Sequence, residues 1–170
     1  EGGYVITGRT SSCRSGDIDE EILGISDAWI FKLDENGVMV WQQFYGGDNG
    51  EAAFAILALE NGTYLVGCSS DSNISGEKTE NSLGENDYWI LIINEDGDIL
   101  QQKTIGGGAS EFLTTAIVAD DGNYIIGGYS SSDASEFKSE NSHGFNDYWV
   151  LKLDTDFFIF FGKILSVGIM

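Results

Sequence analysis

Apolar residues in this chain fall in short runs separated by stretches rich in Gly, Asn, Asp and Ser. The clearest run is Asp87-Tyr88-Trp89-Ile90-Leu91-Ile92-Ile93, which returns as Asp147-Tyr148-Trp149-Val150-Leu151-Lys152-Leu153. An earlier, more divergent copy is Asp27-Ala28-Trp29-Ile30-Phe31-Lys32-Leu33. Trp stands at 29, 89 and 149, so the period is 60. Other matches keep that spacing without gaps from residue 2 to residue 156, among them Tyr4, Tyr64 and Tyr124, and Glu51 and Glu111. A fixed period of this length marks a repeat architecture.

Each unit predicts four strands. In the third unit strand one covers 112–119 and ends at a turn containing Gly122, and strand two covers 124–129. A long polar loop, 130–146, then leads to the Asp-Tyr-Trp strand. A turn with Asn-Gly or Asp-Gly connects it to strand four, 99–105 in the second unit. Short apolar runs joined by Gly-containing turns are hairpin signals. One segment resists. Residues 51–60 have high helix propensity, but their equivalents from 111 are β-branched and read as strand. Two copies of one unit share one structure, so strand is the expectation for both.

In the Asp-Tyr-Trp strand Trp89, Leu91 and Ile93 point one way, and Tyr88, Ile90 and Ile92 the other. Both faces are apolar, which places this strand between two further layers. Glycines recur in strand two, at 8, 67, 127 and 128. They predict a bulky neighbour, and the repeated Trp is the candidate. Four antiparallel strands with two apolar faces fit an all-β fold, a partial β-propeller of four-stranded blades repeating every 60 residues. The expected division is a partial blade over 1–50, a full blade over 51–110, and a blade over 111–156 that continues into the tail. A non-repeating apolar tail, 157–170, breaks the pattern at Phe157, where Gly37 and Gly97 stand in the earlier units. Under three units are too few to close a ring, and the chain opens inside a repeat, so a piece of a longer protein is expected.

The motif Asp-Tyr-Trp-Val-Leu-Lys-Leu-Asp, followed in the repeat by Asp-Gly, Gly-Gly and Asp-Gly-Asn-Tyr-Ile-Ile-Gly-Gly-Tyr-Ser, resembles bacterial secreted and cell-surface β-propeller repeat proteins with repeats of about this length. The resemblance covers residues 2–156. It implies a secreted or cell-surface location and a scaffold role, and it says little about activity, because such repeats serve many proteins. The strand-four Trp of that pattern survives only as Trp41, with Gln101 one unit later.

Composition narrows the function classes. Hydrophobic residues make up 42%, enough for a core. Against 28 acidic residues stand 8 basic ones, a net charge of −20. Nucleic acid is thereby an unsuitable partner, since phosphate binding needs a Lys/Arg footprint. No apolar stretch is long enough for a membrane-spanning helix, so no membrane insertion is expected. Cys13 and Cys68 occupy non-equivalent repeat positions and read as free thiols.

Residues present in every unit read as scaffold: Asp27, Asp87 and Asp147 as acceptors closing the preceding loop, Trp29, Trp89 and Trp149 as core, Glu51 and Glu111 as structural carboxylates. Residues that break the repeat are the functional suspects. Asp71, Asn73, Ser75 and Glu77 precede or flank Gly76 at the spacing that opens a calcium loop. The closing Glu is absent, with Ser82 in its place. Two readings stand, a solvated Asx-type turn, which is the commoner, and calcium, the one cofactor the sequence suggests. His143, the single histidine, replaces Leu83 on the loop face and reads as exposed. No nucleophile elbow, phosphate loop or zinc motif occurs, so no catalytic residue is assigned. The expected function is a non-enzymatic interaction or display scaffold. Its partners are missing blades of the same protein and a protein or glycan on the long-loop face. The alternative is a carbohydrate-active hydrolase or glycan-binding module with its site on that face.

Overall fold

The computed structural model describes residues 2–165. Eleven strands form three antiparallel sheets. The first sheet comprises β1 (Tyr4–Thr10), β2 (Asp27–Leu33) and β3 (Met39–Tyr45). The second runs β4 (Glu51–Ala58), β5 (Tyr64–Ser70), β6 (Asp87–Ile93) and β7 (Ile99–Ile105). The third repeats that order with β8 (Glu111–Val118), β9 (Tyr124–Ser130), β10 (Asp147–Leu153) and β11 (Ile159–Leu165). The described residues contain no α-helix, only a 3₁₀ turn at Glu60–Gly62.

The helix-prone segment is a strand. β4 pairs with β5 along its length and carries a bulge at Phe54, as β8 does at Thr114, one period later. Pairing with a neighbour that buries Ala53 outweighs local helix propensity, which amounts to only a few tenths of a kcal/mol per residue.

β6 lies at the centre, and all seven of its residues are buried. Trp89, Leu91 and Ile93 join a core cluster with Ala28, Ile30 and Tyr45 of the first sheet. Tyr88, Ile90 and Ile92 join a second cluster with Trp149, Leu151 and Leu153 of the third. Each large side chain so buried contributes about 1.5–3 kcal/mol. The strand-two glycines are explained differently from the expectation. Gly128 lies opposite Trp149 in register, but a Cβ there would collide with the Phe112 carbonyl and come within 2.6 Å of the Tyr88 hydroxyl. A Cβ on Gly67 would sit 2.5 Å from Leu113 Cδ2. Leu113 of the next sheet requires Gly67, and the adjacent strand together with Tyr88 of the preceding sheet requires Gly128. The repeated Trp is not the close neighbour of either, and a Cβ on Gly8 would meet nothing within 4 Å.

Sheets are tied at one end where the chain passes from one to the next. The Glu51 N–H donates to the Ser26 carbonyl at 2.7 Å, and the Glu111 N–H to the Asn86 carbonyl at 2.7 Å. At the opposite end tight turns carry Gly37, Gly62, Gly97 and Gly122, all at positive φ.

After Asp156 the residue types leave the repeat, but the backbone does not. Asp154 accepts the N–H groups of Asp156 and Phe158 through its carboxylate at 2.9 and 2.8 Å. Asn94 does the same for Asp96 and Asp98 through its amide oxygen, at 2.9 and 2.8 Å. β11 then pairs with β10, with a bulge at Phe160 where Val40 and Leu100 form the bulges of the earlier sheets. Residues 166–170 of the expected tail lie outside the described residues. Phe157 adopts φ 63°, the left-handed conformation of Gly37 and Gly97, at a cost of about 1–2 kcal/mol for a residue with a Cβ. Volume exchange accounts for it. In the earlier sheet pair Trp41, Gln43 and Tyr45 of β3 crowd over Gly97, with Trp41 Nε1 donating to the Glu95 carbonyl at 2.8 Å. In the later pair Gln101 and Ile105 replace Trp41 and Tyr45. Phe157 is buried with Ile105 in the same cluster and sits 6.3 Å from the Tyr124 ring.

Phe157→Gly is expected to destabilise the chain by about 2–4 kcal/mol, the lost aromatic packing exceeding the relieved strain. Adding Gln101→Trp restores at least about 1 kcal/mol of that loss, read as a positive coupling in a double-mutant cycle by urea denaturation.

Candidate functional site

The long loops and the short sheet-to-sheet connections gather at one end, and there the repeated polar residues form a buried belt. Each unit builds it the same way. Glu51 accepts the Ser70 hydroxyl at 2.6 Å and the Gly47 N–H at 2.9 Å. Glu111 accepts the Ser130 hydroxyl at 2.7 Å and the Gly107 N–H at 2.6 Å. Asp27 accepts the Leu23 N–H at 2.8 Å, and Asp87 the Leu83 N–H at 2.7 Å. Asp147 takes the His143 N–H and, at 2.8 Å, the Ser142 hydroxyl. The His143 N–H bond holds the Asp147 carboxyl below the usual carboxylate range. All five carboxylates are buried, and each accepts at least one backbone or serine donor.

Neighbouring sheets contribute to the same point. A Cβ on Gly46 would meet Asp27 Oδ1 at 2.5 Å and Glu51 Oε2 at 2.8 Å; on Gly106 it would meet Asp87 Oδ1 and Glu111 Oε2. The Asp at the start of one sheet's third strand thus lies beside the Glu opening the next sheet. Among the described residues Asp87 Oδ1 has no hydrogen-bond partner.

Sequence reading missed the cations of this belt. Lys78 and Lys138 are each 1% exposed. Lys78 Nζ donates to Thr104 Oγ1 at 2.7 Å and to the Glu80 carbonyl at 2.8 Å. Lys138 Nζ donates to Ser130 Oγ at 2.9 Å and to the Ser132 carbonyl. Burial pushes both ammonium groups below the usual lysine range, opposed by Asp87, Glu51 and Glu80 around Lys78 and by Glu111, Asp147 and Asp133 around Lys138. The signal was present, since the two lysines are 60 residues apart in a chain with few basic residues. In the first unit Ile18 stands at that position.

The residues that suggested calcium serve the same docking. Asp71 Oδ1 accepts the Gly50 N–H at 2.6 Å, the task performed one unit later by Ser131 Oγ for the Ser110 N–H at 3.1 Å. Ser75 Oγ accepts the Asp48 N–H at 2.9 Å and donates to the Asn73 carbonyl at 3.0 Å. Glu77 Oε2 accepts the Gly46 N–H at 3.3 Å, and burial raises its carboxyl above the ordinary value. These oxygens are directed at three different N–H groups of one connection. Among the described residues no three His, Cys, Asp or Glu side chains gather as metal ligands. The repeating second half of the loop is fastened too: Asn81 Oδ1 accepts the Ile74 N–H at 3.1 Å, and Asn141 Oδ1 the Ala134 N–H at 3.0 Å.

Trp89 and Trp149 are fully buried, and Trp29 is half-buried at the open side of the first sheet. His143 is exposed. Cys13 is an exposed free thiol, and Cys68 is a buried one facing Trp89 across the strand pair. A cleft of about 300 Å³ opens at the loop end, lined by Arg9, Ser26, Phe54, Asp71, Asn86 and Phe112. No described helix is long and apolar enough to cross a membrane. Compared with models of known protein families the chain matches none, and no curated protein is similar to it.

Lys138→Met is expected to destabilise the chain by about 3 kcal/mol, because it strips the cation from buried Glu111 and Asp147. Urea denaturation measures this. A thermal melt with millimolar calcium tests the calcium reading of the Asp71 loop. A rise of several degrees assigns a site there, because a ligand that binds the folded state stabilises it. A shift under about 1 °C leaves these oxygens as docking acceptors alone.

Proposed function

We propose that the chain is a non-enzymatic scaffold of β-propeller blades, part of a larger secreted or cell-surface protein, displaying its long loops for interaction. The observation that carries this reading is the belt of repeated carboxylates. Acid–base or nucleophilic work needs a carboxylate that can reach a solute. Asp27, Glu51, Asp87, Glu111 and Asp147 are 0–5% exposed and engaged with donors of their own loops. Their chemistry is spent on holding the sheets and loops in place. What varies from unit to unit lies on the loops, as expected where a rigid frame presents changeable contacts. Exposed Phe145, Leu83 and Ile74 occupy those loops and supply apolar contact points for a protein partner. The repeat of four-stranded sheets with two apolar faces supports the blade reading. The sequence resemblance supports the location.

A second reading, glycan binding or cleavage, is favoured by one feature. The loop-end cleft is lined by Arg9 together with Phe54 and Phe112, and aromatic faces beside polar groups suit a sugar ring.

A panel of chromogenic glycosides is expected to give no turnover above the buffer rate. Turnover that disappears in Glu51→Gln would replace the scaffold reading with the hydrolase. Retention on a glycan array that is lost in Phe54→Ala would assign the cleft to glycan binding.

A further inference from the structure

The two ends of the stack present faces whose mates already lie inside the chain. Each repeat unit has a Tyr-position face and a Trp-position face, and the Tyr face of one sheet packs on the Trp face of the next. Tyr88 shows the contact: its ring lies 5.2 Å from that of Trp149, and its hydroxyl donates to the Trp149 carbonyl at 3.3 Å. Between the first two sheets the same relation brings Ala28 and Ile30 against Trp89 and Leu91.

One unit of each kind is left over. At the far end Tyr148 occupies the Tyr88 position and is 62% exposed. Strand register puts Tyr129, Phe112 and Leu165 on its face, with Phe112 and Tyr129 stacked at 5.1 Å. At the near end Trp29 occupies the Trp149 position. Register puts Gly8, Ile6, Phe31 and Phe44 on its face, with the Trp29 and Phe44 rings stacked at 6.1 Å. Ile6 is 40% exposed there, whereas its equivalents Val66 and Ile126 are fully buried by the preceding sheet.

We propose that a second copy of this chain covers these faces head to tail, the Tyr148 face of one copy seating on the Trp29 face of the next. The contact continues the sheet-to-sheet interface already formed twice within the chain. It is heterologous, because the two faces differ, and so propagates in one direction to a ring or an open stack. The net charge of −20 on each copy opposes the approach, so added salt strengthens the association by screening. The proposal rests on the reading of the sheets as blades: the second copy takes the seat that a further blade of a larger protein would take.

The competing contact is edge pairing through β11, an unpaired sheet edge that exposes Phe160 and Phe161 and follows exposed Phe158. Sedimentation velocity over roughly a hundredfold range of concentration separates the two, since self-association follows mass action. The wild-type mass is expected to rise with concentration, and to rise further in salt. Tyr148→Glu and Ile6→Glu, each altering an exposed position on one face, are each expected to stay monomeric alone. Mixed, they form a one-to-one complex and nothing larger, because each retains the face the other lacks. Circular dichroism confirms that each variant is folded; Leu165→Glu and Tyr4→Glu are the second variants on the same faces. The proposal is overturned by a wild-type monomer at every concentration, by single variants that still associate, or by association lost in Phe160→Glu instead. A wild-type monomer that binds an apolar dye, with binding lost in Tyr148→Glu, sinks the self-association and leaves the blade reading standing. A monomer that binds no dye counts against both.

Discussion

The structure depends on the fact that no sheet here can bury its own surface. A four-stranded sheet with two apolar faces is stable only between layers, and the contact of a Tyr face with a Trp face supplies that cover. β6 receives it on both sides and is wholly buried. β2 and β10 receive it on one side, which is why Trp29 is half-buried and Tyr148 exposed while their equivalents in β6 are not. Identical sequence positions thus have different burial according to their place in the stack, as expected when each repeat contacts only its neighbours.

The loop end answers a second constraint. Crossing from one sheet to the next leaves backbone N–H groups of Gly46–Gly50 and Gly106–Ser110 without ladder partners. Buried groups of this kind must be paired. Glu51, Ser72, Asp71 and Ser75 accept them in one crossing, and Glu111, Ser132 and Ser131 in the next. Burying so many carboxylates calls for positive charge nearby, and Lys78 and Lys138 occupy the interior for that reason. This electrostatic frame is also what draws the acidic residues away from solvent chemistry. The high acidity of the chain therefore has two parts, a buried structural set and an exposed set that keeps the surface charged.

Particular residues show how far the sequence could be read. The period of 60 located β4 to β10, though not β11, and settled the helix-prone segment from 51, because its β-branched copy from 111 must adopt the same pairing. It also marked Asp27, Asp87, Asp147, Glu51 and Glu111 as repeated carboxylates, and each accepts a backbone N–H group. The same rule set Asp71 among the variable positions; it differs from Ser131 in type but accepts the equivalent N–H. A hydroxyl and a carboxylate are interchangeable as acceptors, and residue identity does not reveal that.

Hydrophobic alternation and fixed spacing are local properties, so the sequence by itself determined the strands, their turns, the two-faced Trp strand and the all-β class. What fills the space beside a residue is not local. Only the tertiary structure decided that Gly67 answers to Leu113 and Gly128 to Tyr88, that Phe157 takes a glycine conformation where Trp41 has become Gln101, and that two lysines lie inside an acidic chain. The glycine and Phe157 contacts join side chains of different sheets and exist only once the sheets have stacked, whereas each lysine meets residues far apart in sequence within its own sheet and long loop.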